Sequence, residues 1–132
     1  MKEVSKIFIT NTIFKKRGLK AILKLKSGER VEIEDDGLYP TENRTEIYLI
    51  IRALKLFKPG STVYVYCNST YVTNMFNKKW IDKWQQNGWV NQRNETIKNL
   101  DLIQELLDLT NKLYITFYEP LPVYGAFDAL YE

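Results

Sequence analysis

The chain is 132 residues long, 45% hydrophobic and 14% aromatic, with a net charge of +3, one cysteine and no histidine. That length fits one domain, residues 1–132, which can bury about two-thirds of its unfolded surface without disulfide or metal staples. Cys67 alone excludes an intrachain disulfide and a cysteine-based zinc site, and the lack of histidine excludes Ser-His-Asp and Cys-His catalysis and histidine-ligated metals.

The first residues carry charges of both signs with no long apolar run behind them, so no signal peptide is expected. The apolar runs are too short to cross a bilayer. A single cysteine suits a reducing compartment. The expectation is a soluble, intracellular, cytoplasmic protein with no membrane partner.

Residues 4–10 alternate β-branched and aromatic side chains and read as a strand. Residues 20–26 form a second strand, stopped at Ser27-Gly28, a hairpin turn signal. Residues 30–34 alternate strictly and give a third, ended by Asp35-Asp36-Gly37 and Pro40. A helix opens at 41–44. Its apolar positions Ile47, Ile50, Ile51, Leu54 and Phe57 recur at helical spacing, and Pro59-Gly60 ends it. Residues 62–67, almost all apolar or aromatic, read as a strand buried on both faces in the middle of a sheet. Asn68 or Ser69 can cap a short helix through Met75 or Phe76. A further short helix covers 78–86, a turn follows at Asn87-Gly88, and a helix covers 99–111 with Leu100, Ile103, Leu106, Leu107 and Leu109 on its apolar side. Residues 112–118 form the fifth strand, and residues 124–132 a short final helix. The predicted class is α/β: a mixed five-stranded sheet, three antiparallel strands then two further strands, with helices on both faces.

Charge is unevenly spread. Residues 15–26 hold Lys15, Lys16, Arg17, Lys20, Lys24 and Lys26 with no acid, and residues 78–98 hold Lys78, Lys79, Lys83, Arg93 and Lys98 against Asp82 and Glu95. A solvated face explains such runs as well as an anionic partner does.

Four stretches, TENRTE (41–46), NSTYV (68–72), KKWIDKWQQNGW (78–89) and IKNLDLIQEL (97–106), resemble type 1 ribonuclease H in order and in spacing. The third resembles the tryptophan-rich basic protrusion of the bacterial enzymes. The resemblance implies the ribonuclease H fold and cleavage of the RNA strand of RNA–DNA hybrids by two Mg²⁺ ions held by four carboxylates. Hard cations take oxygen ligands, and two of them about 4 Å apart need bridging negative charge between them.

Carried over residue by residue, the carboxylate set is incomplete. The glutamate of the first helix is Glu46. The aspartate after the central strand falls on Asn68. The first-strand aspartate falls on Thr10, or on Asn11 with a one-residue slip. FDALYE (127–132) resembles the motif of the fourth carboxylate, which would make Asp128 a catalytic and metal-binding remnant beside Glu46. The family's histidine-bearing loop is replaced by residues 119–125. The implied reading is a degenerate site, a pseudoenzyme without a cofactor, or one using Mg²⁺ or Mn²⁺ if active. The implied partner is RNA–DNA hybrid or double-stranded RNA, bound through Lys78, Lys79, Trp80, Lys83, Trp84, Arg93, Lys98 and Asn99, with Thr41 and Asn43 near the RNA strand. Two alternatives stand beside it: a protein-interaction module built on a defunct ribonuclease H fold, and an active nuclease with fewer ligands. Plainer roles are also open at each position. Glu46 can be a solvated helix residue, Asn68 a helix cap, Asp128 a surface residue, and Trp80 and Trp84 the packing of a small subdomain.

Overall fold

A computed structural model describes residues 4–11, 18–35 and 37–119. The elements run β1 (Ser5–Asn11), β2 (Leu19–Lys24), β3 (Arg30–Glu34), α1 (Glu42–Leu54), β4 (Thr62–Tyr66), α2 (Thr70–Asn77), α3 (Trp80–Gln86), α4 (Leu100–Thr110) and β5 (Tyr114–Tyr118). The helix predicted for 124–132 lies outside the described residues, as do Asp128 and Lys15, Lys16 and Arg17.

The strands form one sheet in the order β3-β2-β1-β4-β5. The first three pair antiparallel, β1 pairs parallel with β4, and β4 pairs parallel with β5. The β2–β3 hairpin closes where Gly28 takes φ +97°, a conformation that side chains resist, and its N–H donates to the Leu25 carbonyl at 2.8 Å.

Strand alternation sorts the sheet into two faces. Ile7, Ile9, Ala21, Leu23, Ile33, Val63, Val65 and Phe117 point to the side carrying the helices and join one core. Helix α1 sits between the sheet and α4, so it is buried nearly all round: Ile47, Leu49, Ile50 and Leu54 are fully enclosed. This is why its buried set is wider than the single apolar stripe in the sequence. The helix ends at Leu54, and Leu56 and Phe57 close the last turn onto the Ala53 and Leu54 carbonyls at 3.1 Å.

Strand β4 departs from the expectation of burial on both faces. Val63 and Val65 are fully buried on the helix side, but Tyr64 and Tyr66 on the other are half-exposed. The strand lies one place in from the sheet edge. Tyrosine can occupy such a position because it pairs an apolar ring with a polar tip.

Candidate nucleic-acid interface and carboxylate site

The end of β4 and the first turns of α1 meet at Glu46. Its side chain is 1% exposed. One carboxylate oxygen accepts from the Asn68 backbone N–H, and the other from the Ser69 hydroxyl at 2.7 Å. Burial pushes the Glu46 carboxyl above the usual carboxylate range, and the bonds from Ser69 and Asn68 oppose that rise. The neighbouring Cys67 thiol is pushed up by burial and by the Glu46 charge, so it is inert.

This arrangement corrects the capping expectation. Ser69 occupies the N-cap position of α2, but its hydroxyl donates to Glu46 and makes no bond to the helix. Asn68 serves through its backbone N–H. A carboxylate from α1 therefore satisfies donors at the start of α2 that a local cap would ordinarily satisfy.

Of the two first-strand alternatives, Thr10 stands on the face turned away from the helices, sharing it with Lys6 and Phe8. Asn11 follows the alternation of Ile7 and Ile9 onto the helix side and is exposed. Among the described residues, no group of three or more His, Cys, Asp or Glu side chains comes together to hold a metal. Glu46 does not fit a Mg²⁺ ligand as it stands, because both its oxygens are engaged and it is closed from solvent.

Thr41 caps α1, its hydroxyl oxygen accepting the Arg44 N–H at 3.3 Å, and Asn43 beside it is exposed. A cavity of about 190 Å³ lies next to this helix end, with Asp35, Thr41 and Glu42 in its lining. Its acidic walls disfavour a phosphate there.

Two residues that sequence reasoning did not single out hold this end together. The Arg44 guanidinium donates to both oxygens of Asp101, at 2.9 and 2.6 Å, and lies 4.5 Å from the centre of the Tyr39 ring. A third bond, at 3.3 Å, reaches Asn99 Oδ1, while Asn99 Nδ2 donates to the Tyr71 hydroxyl at 3.4 Å. Asn99 thus joins α1, α2 and α4. Arg44 and Asp101 sit inside the TENRTE and IKNLDLIQEL stretches, so the only signal is an opposite-charge pair within two segments that resemble the family. Arg44 holds the Asp101 carboxyl at about 2, below its ordinary 3.8. A depressed folded value gives stability that is complete above the unfolded pKa and is lost as pH falls through the folded one. Arg44→Ala is therefore expected to lower stability by about 1–2 kcal/mol at neutral pH, held to that size by the exposure of Asp101. Urea titrations should show the difference from wild type shrinking as pH drops from about 4 towards 2.

The segment after α2 turns at Lys79, a non-glycine residue at φ 58°. Trp80 and Trp84, one helical turn apart on α3, lie with ring centres 6.1 Å apart and are half-buried against the core. Trp89 joins them, its N–H donating to the Trp84 carbonyl at 2.7 Å. Val90 and Thr96 bridge the loop beyond, and Ile97 N–H returns to the Trp89 carbonyl at 3.1 Å. The tryptophans thus brace the segment. Lys78, Lys79, Lys83, Arg93 and Lys98 are all exposed and form no ion pair among the described residues. They leave a charged, rigidly mounted surface available to an anion.

Comparison with known proteins places this geometry. The sequence pattern of the family described as RNase H matches residues 11–118. A ribonuclease H from Caldicellulosiruptor saccharolyticus is 47% identical over 68 residues, covering 52% of this chain and 47% of that protein. The chain spans about half the length of such curated relatives. Among solved structures, LC9-RNase H1, a type 1 RNase H with the type 2 active-site motif, superposes with a TM-score of 0.66 over 95% of this chain and 66% of that one at 18% identity. A foamy viral protease-reverse transcriptase in complex with RNA/DNA hybrid superposes with a TM-score of 0.64 over 98% of this chain and 19% of that one, also at 18% identity. At such identities the structural likeness is one of fold.

Proposed function

Because the chain belongs to the RNase H family, we propose that it binds RNA–DNA hybrid, or double-stranded RNA of similar shape, on its tryptophan-braced basic segment, and that it has lost hybrid cleavage. The observation that carries the binding is the set of exposed cations at Lys78, Lys79, Lys83, Arg93 and Lys98 without acidic partners among the described residues. Such cations track phosphates, and exposed Thr41 and Asn43 at the start of α1 are the groups suited to 2′-hydroxyl and minor-groove contacts. Glu42 between them faces phosphate unfavourably.

The loss of cleavage rests on charge. Two divalent ions repel strongly, and a set of carboxylates must offset them. Here asparagine stands at position 68 and threonine or asparagine at positions 10 and 11, while the Glu46 carboxylate is committed to Asn68 and Ser69. An asparagine carbonyl brings an oxygen but no charge. Mg²⁺ or Mn²⁺ becomes a cofactor only under the active-nuclease reading, which the curated names of the relatives favour.

The test is a labelled hybrid incubated with the protein in Mg²⁺ and separately in Mn²⁺, with binding measured in parallel at two salt concentrations. Salt-dependent binding without cleavage is expected. Cleavage that disappears in Glu46→Gln would establish the active nuclease instead. Hybrid affinity indifferent to salt would favour the protein-interaction module. Among the described residues, no helix is long and apolar enough to cross a membrane.

A further inference from the structure

Helix α3 ends in an asparagine followed by a glycine. Asn87 is the C-cap, at φ −96° and ψ 11°, and its N–H donates to the Lys83 carbonyl at 3.1 Å. Gly88 follows at φ +74°, a conformation glycine takes without strain. Its N–H reaches the Gln85 carbonyl at 3.3 Å, beyond the usual length of such a bond. Both residues are exposed. The Trp89 N–H then closes onto the Trp84 carbonyl at 2.7 Å, so this turn sets the spacing of the tryptophan brace. None of the other asparagines precedes a glycine, and Asn77, Asn91 and Asn99 hold their side-chain amides in hydrogen bonds.

An asparagine loses its side-chain amide when the backbone nitrogen of the next residue attacks the side-chain carbonyl carbon. Here a bond forms between Gly88 N and Asn87 Cγ, and the Cγ–Nδ2 bond breaks. The Gly88 amide proton goes to solvent base, and Nδ2 takes up a proton and leaves as ammonia. Water then opens the cyclic imide at one carbonyl or the other, giving isoaspartate or aspartate. The balance is one water in and one ammonia out, with no redox change. Glycine as the attacking residue has no side chain to hinder the ring. At ψ 11° the Gly88 nitrogen is turned away from the Asn87 side chain, so the attack proceeds through local opening of the turn. What holds Gly88 against that opening is its long bond to Gln85 at the end of a seven-residue helix.

The new charge falls beside a cation. Positions 83 and 87 are one helical turn apart on the same face, where β-carbons lie about 5–6 Å from each other. Lys83 is exposed and forms no ion pair among the described residues. A carboxylate at 87 supplies that partner. Isoaspartate also routes the backbone through Cγ, which lengthens the turn that returns Trp89 to Trp84. We propose that Asn87 is a self-modification site whose deamidation switches the basic segment off, by neutralising Lys83 and loosening the tryptophan brace. The chemical site stands on the turn itself, and its regulatory consequence rests on the hybrid-binding function proposed above. Bound hybrid covers the segment, restrains the opening of the turn and so slows the reaction.

The experiment ages the full chain in mildly alkaline buffer with EDTA, alone and with saturating hybrid, and maps its peptides by mass spectrometry with enzymatic labelling of isoaspartate. Asn87 is expected to convert ahead of every other asparagine, chiefly to isoaspartate, and more slowly with hybrid present. Anisotropy titrations with labelled hybrid read the consequence. Asn87→Asp should weaken binding about fivefold at low salt and reduce the slope of log affinity against log salt by about 0.9, the value for one lost phosphate contact. Added to Lys83→Gln it should cost nothing more, because that contact is already gone. Asn87→Ser cannot deamidate, so it keeps wild-type affinity before and after ageing. The proposal is overturned if Asn87 keeps its amide in the folded chain while the urea-unfolded chain loses it. It is overturned equally if Asn87→Asp binds hybrid with wild-type affinity and slope. A fresh wild-type chain that binds no hybrid would sink the function proposed above and the switch with it, a failure visible before ageing and separate from whether Asn87 converts.

Discussion

Replacing Glu46 by alanine is expected to lower the unfolding free energy by about 3 kcal/mol, while glutamine at the same position leaves it within about 1 kcal/mol. The difference comes from what each side chain leaves behind. Alanine removes the acceptor for the Asn68 N–H and the Ser69 hydroxyl in a site that is closed to water. Each stranded donor carries a desolvation penalty of about 1–3 kcal/mol, and the lost volume adds to it. Glutamine keeps one carbonyl oxygen for the Asn68 N–H, and its amide can donate to the Ser69 oxygen.

The pH dependence of this pair separates a structural carboxylate from a solvated one. Burial raises the folded carboxyl above its ordinary 4.5. Between the unfolded and folded values the folded state holds a proton that the unfolded state has released, so wild-type stability falls as pH rises through that window. Glutamine does not titrate, so Glu46→Gln gains on wild type over the same interval. Urea denaturation of wild type, Glu46→Gln and Glu46→Ala from about pH 4 to pH 7 measures this. A Glu46→Ala protein as stable as wild type would show that the carboxylate is not holding the start of α2.

The strands were legible because alternation is a local signal. Residues 30–34 were read to the residue, and β1 and β2 within two at either end. The helices were legible from apolar spacing and their stops. The joints between elements were not. Glu46 meets Asn68 and Ser69 across 22 and 23 positions, and Arg44 meets Asp101 across 57. No periodicity encodes such pairings, which exist only once α1, α2 and α4 have packed. The same holds for β4: its aromatic run reads as doubly buried, yet the sheet order leaves one of its faces half-open. The basic segment was legible because tryptophans four apart with interspersed lysines give both the brace and the charge in one short stretch. The motif gives no sign that the Asn99 side chain also links Arg44 to Tyr71, a contact that exists only once the three helices pack.

Converting Lys78, Lys79 and Lys83 together to glutamine is expected to weaken hybrid binding about a hundredfold at low salt, with little effect on stability. All three are exposed and make no ion pair among the described residues, so their removal disturbs no packing. Each cation that neutralises a phosphate releases a counterion, and the slope of log affinity against log salt changes by about 0.9 for each contact on a duplex. Losing three contacts should therefore flatten the slope by about 2.7 and bring mutant and wild type together as salt rises. Trp84→Ala acts differently. It removes the Trp80 partner and half-buried packing under the loop, so it lowers stability along with affinity and leaves the number of cations unchanged. Anisotropy titrations from about 50 to 200 mM salt distinguish these outcomes. Were the triple substitution to reduce affinity equally at every salt concentration, the lysines would be shaping the segment and not contacting phosphate, and the hybrid would have to be held elsewhere.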